Sequence, residues 1–262
     1  MAVVSQGDVL TLLLVLVLTS LRFLGLFSSL VMFSGAVLPF TVRALMSLVM
    51  ALAVASAMGE IQIETAVFTS AAGLAITSSR EVIAGVMLGV LASSPLYAIQ
   101  SAGRFISQQM GFSMADIMDP MSDQRVSVIG QLKYILGTWF WFWAGGHLLM
   151  TAAVVESMKV LPLGTPLFTL FSIEGARAWI RGIMFLSVRM VLPYFGTLLL
   201  AELGLGFIAR MVPQMNVFML GFPVKILLGI FLVSVFAISI IRGLLPGAVM
   251  DFLGMFTLFW GR

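Results

Sequence analysis

An all-α, membrane-associated fold built of helical hairpins is what this sequence predicts, and three observations predict it. Of its 262 residues, 61% are hydrophobic and 10% are charged, whereas a soluble domain carries about 25% charged residues. A soluble chain of this length has too little polar surface to cover so much apolar content. The apolar residues also form long runs, without the period-2 alternation of a membrane barrel. Finally, no strand signal and no short internal repeat breaks the pattern.

The apolar segments are, in order, Val9–Phe27, Ala44–Met58, Ala66–Ile76, Val82–Tyr97, Ile135–Val155, Ile183–Ala209, Val217–Ile241 and Leu244–Trp260. A spanning helix needs about 20 apolar residues. Some of these runs meet that length. Ala44–Met58 and Ala66–Ile76 do not, being too short or ending at a glycine or a charge pair. The opening residues MAVVSQGDV lack a basic stretch, and no small-residue cleavage site follows the first run, so a cleaved signal peptide is not expected. Gly85 and Gly89 stand in a GxxxG spacing, and Gly25–Ser29 is its small-residue equivalent; such pairs let helix backbones approach closely. Tyr134, Trp139, Trp141 and Trp143 read as an aromatic belt at a headgroup interface, or as helix packing within an assembly.

Charge and cysteine usage exclude several functions. There are no cysteines, which removes disulfides, thiolate metal sites and cysteine nucleophiles. The net charge is +3 and the basic residues are scattered singly, so no nucleic-acid partner is expected. Glu60 and Glu64 mark an acidic loop for the outer side, and Arg210 with Lys225 marks an inner side. Arg177 and Arg181 then stand at the wrong end of the intervening helix. This conflict argues against ordinary membrane spans.

Sites for chemistry are scarce. His147 is the only histidine, and a metal site needs further ligands. The glycines of GLGLGF, Gly204 and Gly206, follow no strand and precede no phosphate-binding lysine, which excludes a P-loop. Asp116, Asp119 and Asp123 lack the glycine and terminal glutamate of an EF-hand. No cofactor, no metal and no catalytic residue is therefore expected. Met110, Met114, Met118 and Met121 fall within twelve residues, where 19 methionines in 262 residues predict about one. A continuous helix would stack them on one face, but Gly111 and Pro120 oppose continuity. Methionine repacks readily, so the segment reads either as a packing stripe or as a deformable constriction or plug. Between the two long C-terminal runs stand Arg210, Pro213, Gln214, Asn216 and Lys225, with Glu202 just before them. Such polar groups are costly in hydrocarbon unless paired with one another or with partner chains.

Several stretches carry a family resemblance. RMVPQMNVFMLGFPVKI at 210–226 is the most specific, GRFISQQMGFSMADIMDP at 103–120 has a QMG followed by a DP, and Pro39 with Arg43 forms a P-x-x-x-R. GGHLL at 145–149 resembles an NGH motif in which Gly145 stands where Asn is usual. Together they resemble the FliR family, membrane proteins of the export gate in flagellar and injectisome type III secretion, and GFPVKI looks more flagellar. The resemblance implies a FliP-like part over residues 1–177 joined to a FliQ-like hairpin and C-terminal helix over 178–262. It also implies a bacterial inner-membrane location at the flagellar basal body. The implied partners are FliP-like, FliQ-like and FlhB-like membrane proteins, with membrane lipid around them and unfolded exported proteins as cargo. Met110, Gly111, Phe112, Met114, Met118, Pro120 and Met121 become the expected gate or plug loop. Glu202, Arg210, Pro213, Gln214, Asn216 and Lys225 become the expected partner contacts. A secondary transporter for a small solute is the competing reading, since broken apolar segments and midplane charges suit it too.

Overall fold

The computed structural model describes residues 2–3, 9–33, 38–57, 62–63, 71–112, 128–164, 172–212, 214 and 217–260. Among these residues the fold is helical, with seven helices: α1 (Val9–Ser29), α2 (Phe40–Ala57), α3 (Ala71–Met110), α4 (Val128–Trp143), α5 (Gly146–Val160), α6 (Ile173–Met211) and α7 (Val217–Trp260). A two-residue antiparallel ladder pairs β1 (Ala2–Val3) with β2 (Gln62–Ile63). Four helices are long and apolar enough to cross a membrane, over Leu12–Ser29, Ala71–Met110, Ile173–Met211 and Met219–Gly243.

The segmentation differs from the run of apolar segments in three places. The segments Ala66–Ile76 and Val82–Tyr97 are bridged by α3, which carries Arg80 and Glu81 within it and accommodates Pro95. Val217–Ile241 and Leu244–Trp260 likewise fuse into α7, through Arg242 and Gly243. Conversely, Ile135–Val155 is split between α4 and α5 at Ala144–Gly145. Helix propensity tolerates one or two charges in an apolar run, whereas a left-handed glycine breaks the hydrogen-bond ladder. The acidic loop residues Glu60 and Glu64 lie outside the described residues.

The chain forms two compact units, and their boundaries fall inside α3, α6 and α7 and at the turn between α4 and α5. The first comprises residues 1–94, 145–180 and 249–262, the second residues 95–144 and 181–248. The expected division into 1–177 and 178–262 rests on resemblance rather than on compactness.

In the first unit, α1 and α3 cross at very close range. A Cβ on Gly25 would strike the Val82 carbonyl, one on Gly85 the Arg22 carbonyl, and one on Gly89 the Leu26 carbonyl and the Ser29 hydroxyl. The two small-residue spacings thus face each other. The Ser29 hydroxyl donates to the carbonyls of Leu26 and Val86 (3.1 and 3.0 Å), and the Val31 amide donates to Ser93 Oγ. Around this contact Phe23, Leu26, Phe27, Leu88, Leu91 and Val154 are buried, and Phe23 stacks on Phe27.

Arg22 sits at the centre of this unit, fully enclosed. Its Nε donates to Glu81 Oε2 at 2.7 Å, its Nη1 to Ser157 Oγ at 3.0 Å and its Nη2 to the Leu161 carbonyl at 3.1 Å. Glu81 Oε1 in turn accepts the Gly164 amide at 3.4 Å. One guanidinium therefore ties α1 to α3, to α5 and to the turn that follows α5. Glu81 is carried in an apolar helix because its charge is matched there.

Removing one member of a buried ion pair strands the other and costs about 3–5 kcal/mol. We expect Glu81→Ala to destabilise the detergent-solubilised protein by that amount in thermal or denaturant unfolding. Glu156→Ala, at the exposed Lys159–Glu156 pair, should change stability by no more than about 1 kcal/mol.

Candidate gate and partner-contact site

The second unit holds every described residue of the expected site. Its core gathers Ile106, Met110, Ile129, Tyr194, Leu198, Leu232, Val233 and Ala237 from α3, α4, α6 and α7. Helices α6 and α7 run antiparallel. Tyr194 meets Phe236, Glu202 meets Lys225, and Leu205 lies under Gly221, so contacts on one helix descend as they ascend on the other.

Helix α3 ends at Met110 for a local reason. Gly111 has φ 91°, a left-handed conformation that L side chains resist. Its amide donates to the Gln108 carbonyl at 3.0 Å, and the Phe112 amide donates to the Ser107 carbonyl at 3.1 Å. This is the Schellman pattern, which satisfies the last helical carbonyls and turns the chain aside. Phe112 then packs back on the core that contains Ile106 and Met110. Helix α3 therefore stops at the first methionine of the stripe. Met110 is the last helical residue and is fully buried. Met114, Met118, Pro120 and Met121 lie outside the described residues, as do Asp116, Asp119 and Asp123.

The polar set on the hairpin is only partly brought together. Lys225 Nζ donates to Glu202 Oε1 at 2.8 Å; the lysine side chain is 17% exposed and the glutamate 52%. Arg210 stands two turns further along α6, exposed, and forms no ion pair among the described residues. Gln214 is exposed at the turn. Pro213 and Asn216 lie outside the described residues. Long apolar side chains beside this set also face outward, among them Phe207, Met211, Met219 and Leu227.

The aromatic and histidine motifs resolve differently. Trp139 and Trp143, one helical turn apart, are exposed, and Arg242 sits 5.6 Å from the Trp143 ring centroid. Trp141 points the opposite way and is buried. The three tryptophans do not form one belt, because alternate residues of a helix cannot share a face. Gly145 has φ 76° and ψ 21° and its carbonyl accepts the Leu148 and Leu149 amides. Asparagine is among the side chains best tolerated in that conformation, so the backbone at 145 would accept an asparagine. His147 follows, exposed at the start of α5. Among the described residues no three His, Asp or Glu side chains gather as a metal ion would need.

Sequence reasoning passed over Lys133. It lies on α4, outside the four spanning-length helices, and is buried with its ammonium 3.9 Å above the Tyr194 ring. A ring face favours the charged form, yet burial dominates and pushes the lysine down to about 7. A single lysine in the apolar stretch GQLKYIL was the available signal.

Long apolar helices, glycine-mediated close packing and a polar turn between the last two of them place the chain among helical membrane proteins. Comparison with known proteins narrows that class. The family described as bacterial export proteins, family 1, matches residues 13–246, and the chain belongs to it. It is 31% identical over 169 residues to the flagellar biosynthetic protein FliR of Bacillus subtilis (strain 168), covering 62% of this chain and 63% of that protein. It is 30% identical over 160 residues to FliR of Escherichia coli (strain K12), covering 59% of each. It is 28% identical over 159 residues to the Yop proteins translocation protein T of Yersinia pestis, covering 58% of this chain and 59% of that one. The chain thus spans about three fifths of the length of these relatives.

Two outcomes follow from this geometry. The unfolded chain keeps the Lys133 proton up to about 10.5, while the folded chain releases it near 7. Between those values the unfolded state binds more protons, so Lys133 makes stability rise with pH from about 7 upward, and its full penalty stands below 7. Melting temperatures of the parent should therefore climb between pH 7 and 9, and Lys133→Met should flatten that climb and raise stability at pH 6. At the left-handed position, Gly145→Asn should be well tolerated, whereas Gly145→Ala should cost about 1–2 kcal/mol, read in the same melts.

Proposed function

We propose that this chain is a non-catalytic subunit of a bacterial type III export gate, in the inner membrane at the flagellar basal body. With FliP-like and FliQ-like partners it forms a conduit for unfolded secreted proteins that is closed at rest. The observation that carries this reading is the family match across residues 13–246, joined to relatives named for flagellar biosynthesis and for Yop translocation. The architecture supports it. Helices α3, α6 and α7 contain 40, 39 and 44 residues, roughly 60 Å each at 1.5 Å per residue. A hydrocarbon core is about 30 Å thick, so these helices are poorly suited to act as simple spans. The broad apolar faces of α6 and α7 need a cover, and neighbouring subunits would supply it.

Within this reading, residues 1–177 act as the FliP-like part and 178–262 as the FliQ-like hairpin with its following helix. The antiparallel pairing of α6 with α7 is what a hairpin part requires. The turn at Pro213–Asn216 faces a FlhB-like partner at the cytoplasmic entrance, where Gln214 and Asn216 make protein contacts. Glu202, Arg210 and Lys225 form the polar network against neighbouring subunits, with Arg210 the member left for a partner. The segment that follows Met110, through Met121, seals the conduit, because methionine side chains fill gaps and yet rearrange around varied cargo.

Mass measurement of the gently extracted protein should show a hetero-oligomer, and a stable, monodisperse lone chain would speak against the reading. A photo-crosslinker at Gln214 should capture the FlhB-like partner; labelling there by periplasmic reagents alone would reverse the orientation. Replacing Met114 and Met118 with Ala should make assembled gates leak small ions while secretion persists. Tight, normally assembled variants would reduce those methionines to packing residues.

A further inference from the structure

Within the second unit, helix α6 buries one side and leaves the other open. Leu186, Met190, Tyr194 and Leu198 are buried, at a spacing of four that keeps them on one side of the helix. Opposite them stand Arg181, Met184, Phe185, Val188, Arg189 and Leu192, all exposed. Further along the same side Gly196 is bare, with nothing within 4 Å of where a Cβ would be. This face is apolar except at two points, and both are arginines. Arg181 and Arg189 are eight residues apart in the sequence, about 12 Å along the helix. Neither forms an ion pair among the described residues. The guanidinium of Arg189 lies 5.9 Å from the centroid of the Phe185 ring, a contact that attracts the cation but gives it no acceptor. Exposed arginine is ordinarily solvated. Here the arginines are set among large apolar side chains on a helix of membrane-crossing length, whose outward face meets lipid or protein. A cation left unmatched in either is costly.

We propose that this face of α6 docks a helix of a neighbouring subunit that is apolar but for two carboxylates about two turns apart, one for Arg181 and one for Arg189, with Phe185 between them. The inference rests on the export-gate reading above and adds the chemistry of one partner surface. Charge complementarity selects the occupant. Two guanidiniums with no carboxylate of their own call for negative charge, and the planar fork of arginine takes a carboxylate through two parallel hydrogen bonds. Carboxylates carried on a helix can stand at both levels. The polar layer of a membrane leaflet is only roughly 5–8 Å deep, so phosphate headgroups would match one arginine of an upright helix and leave the other in hydrocarbon. Gly196 suits a helix as well, because bare backbone lets a second helix approach closely. The same pairing explains why Arg181 stands at the end of α6 where the positive-inside rule does not place it: it marks a contact, not an orientation.

The test uses the full chain in cells that express the complete export complex. A photo-crosslinker in place of Met184, between the two arginines, should capture a neighbouring membrane subunit. Mass spectrometry of the crosslinked peptide should place it on an apolar helix with two Asp or Glu residues about seven or eight positions apart. Capture of phospholipid alone, of exported cargo alone, of a segment without such a pair, or of nothing would overturn the inference. The double variant Arg181→Gln, Arg189→Gln should lower the amount of that subunit co-extracted per chain several-fold. Arg181→Lys with Arg189→Lys keeps both charges and should retain most of it, and Lys159→Gln, at the exposed pair on α5, should stay at the parental level. Should the Gln variant fail to accumulate, the crosslink, made with both arginines in place, decides. A Gln variant that co-extracts as much as the parent, or a Lys variant no better than the Gln one, would overturn the docking while the export-gate reading stands. A parental chain extracted with no neighbour at all would overturn that reading itself.

Discussion

The Arg22–Glu81 pair is the constraint on which the first unit depends. A guanidinium excluded from water needs its charge and its donors matched. Here one carboxylate, one hydroxyl and one carbonyl accept from it, and they come from α3, α5 and the turn after α5. The pair can sit so deep only because α1 and α3 touch through glycine and serine. Any larger side chain at Gly25, Gly85 or Gly89 would hold the backbones apart. Close packing and charge burial are thus one arrangement. The glycines bring the helices together, and Arg22 fixes their register.

The second unit is organised on different physics. Its core is apolar, and its one buried lysine is held against an aromatic ring rather than a carboxylate. The antiparallel α6–α7 hairpin gives it a rigid side against which the end of α3 is placed. The exposed members of the expected site, Glu202, Arg210 and Gln214, lie at the hairpin's polar end. The buried member, Met110, lies in the core. The unit thereby carries exposed polar side chains at one end of the hairpin and a tightly seated helix end in its core.

Much of this was legible in the sequence, and the parts that were not have physical causes. Helicity followed from composition and run length. The small-residue spacings at Gly25–Ser29 and Gly85–Gly89 signalled close helix contact, although nothing in one strand of sequence says which spacing meets which. Element ends were less legible. A charge pair at Arg80–Glu81 looks like a break until Arg22, distant in sequence, is seen to neutralise it. Gly145 looks like any glycine until its left-handed backbone is known. Three alternating tryptophans suggest one surface, but a helix sends the middle one the other way.

The length of α7 carries a consequence for how such a molecule is made. At 44 residues it measures roughly 66 Å. To hide that length within a hydrocarbon layer of about 30 Å, the helix would have to lean by about 60°, well past the usual limit of about 40°. Lipid alone therefore cannot cover the whole of this helix. Lipid can shelter the growing chain, but only part of this helix at a time. In the assembly proposed above, maturation would be a change of solvent, from acyl chains to other polypeptide.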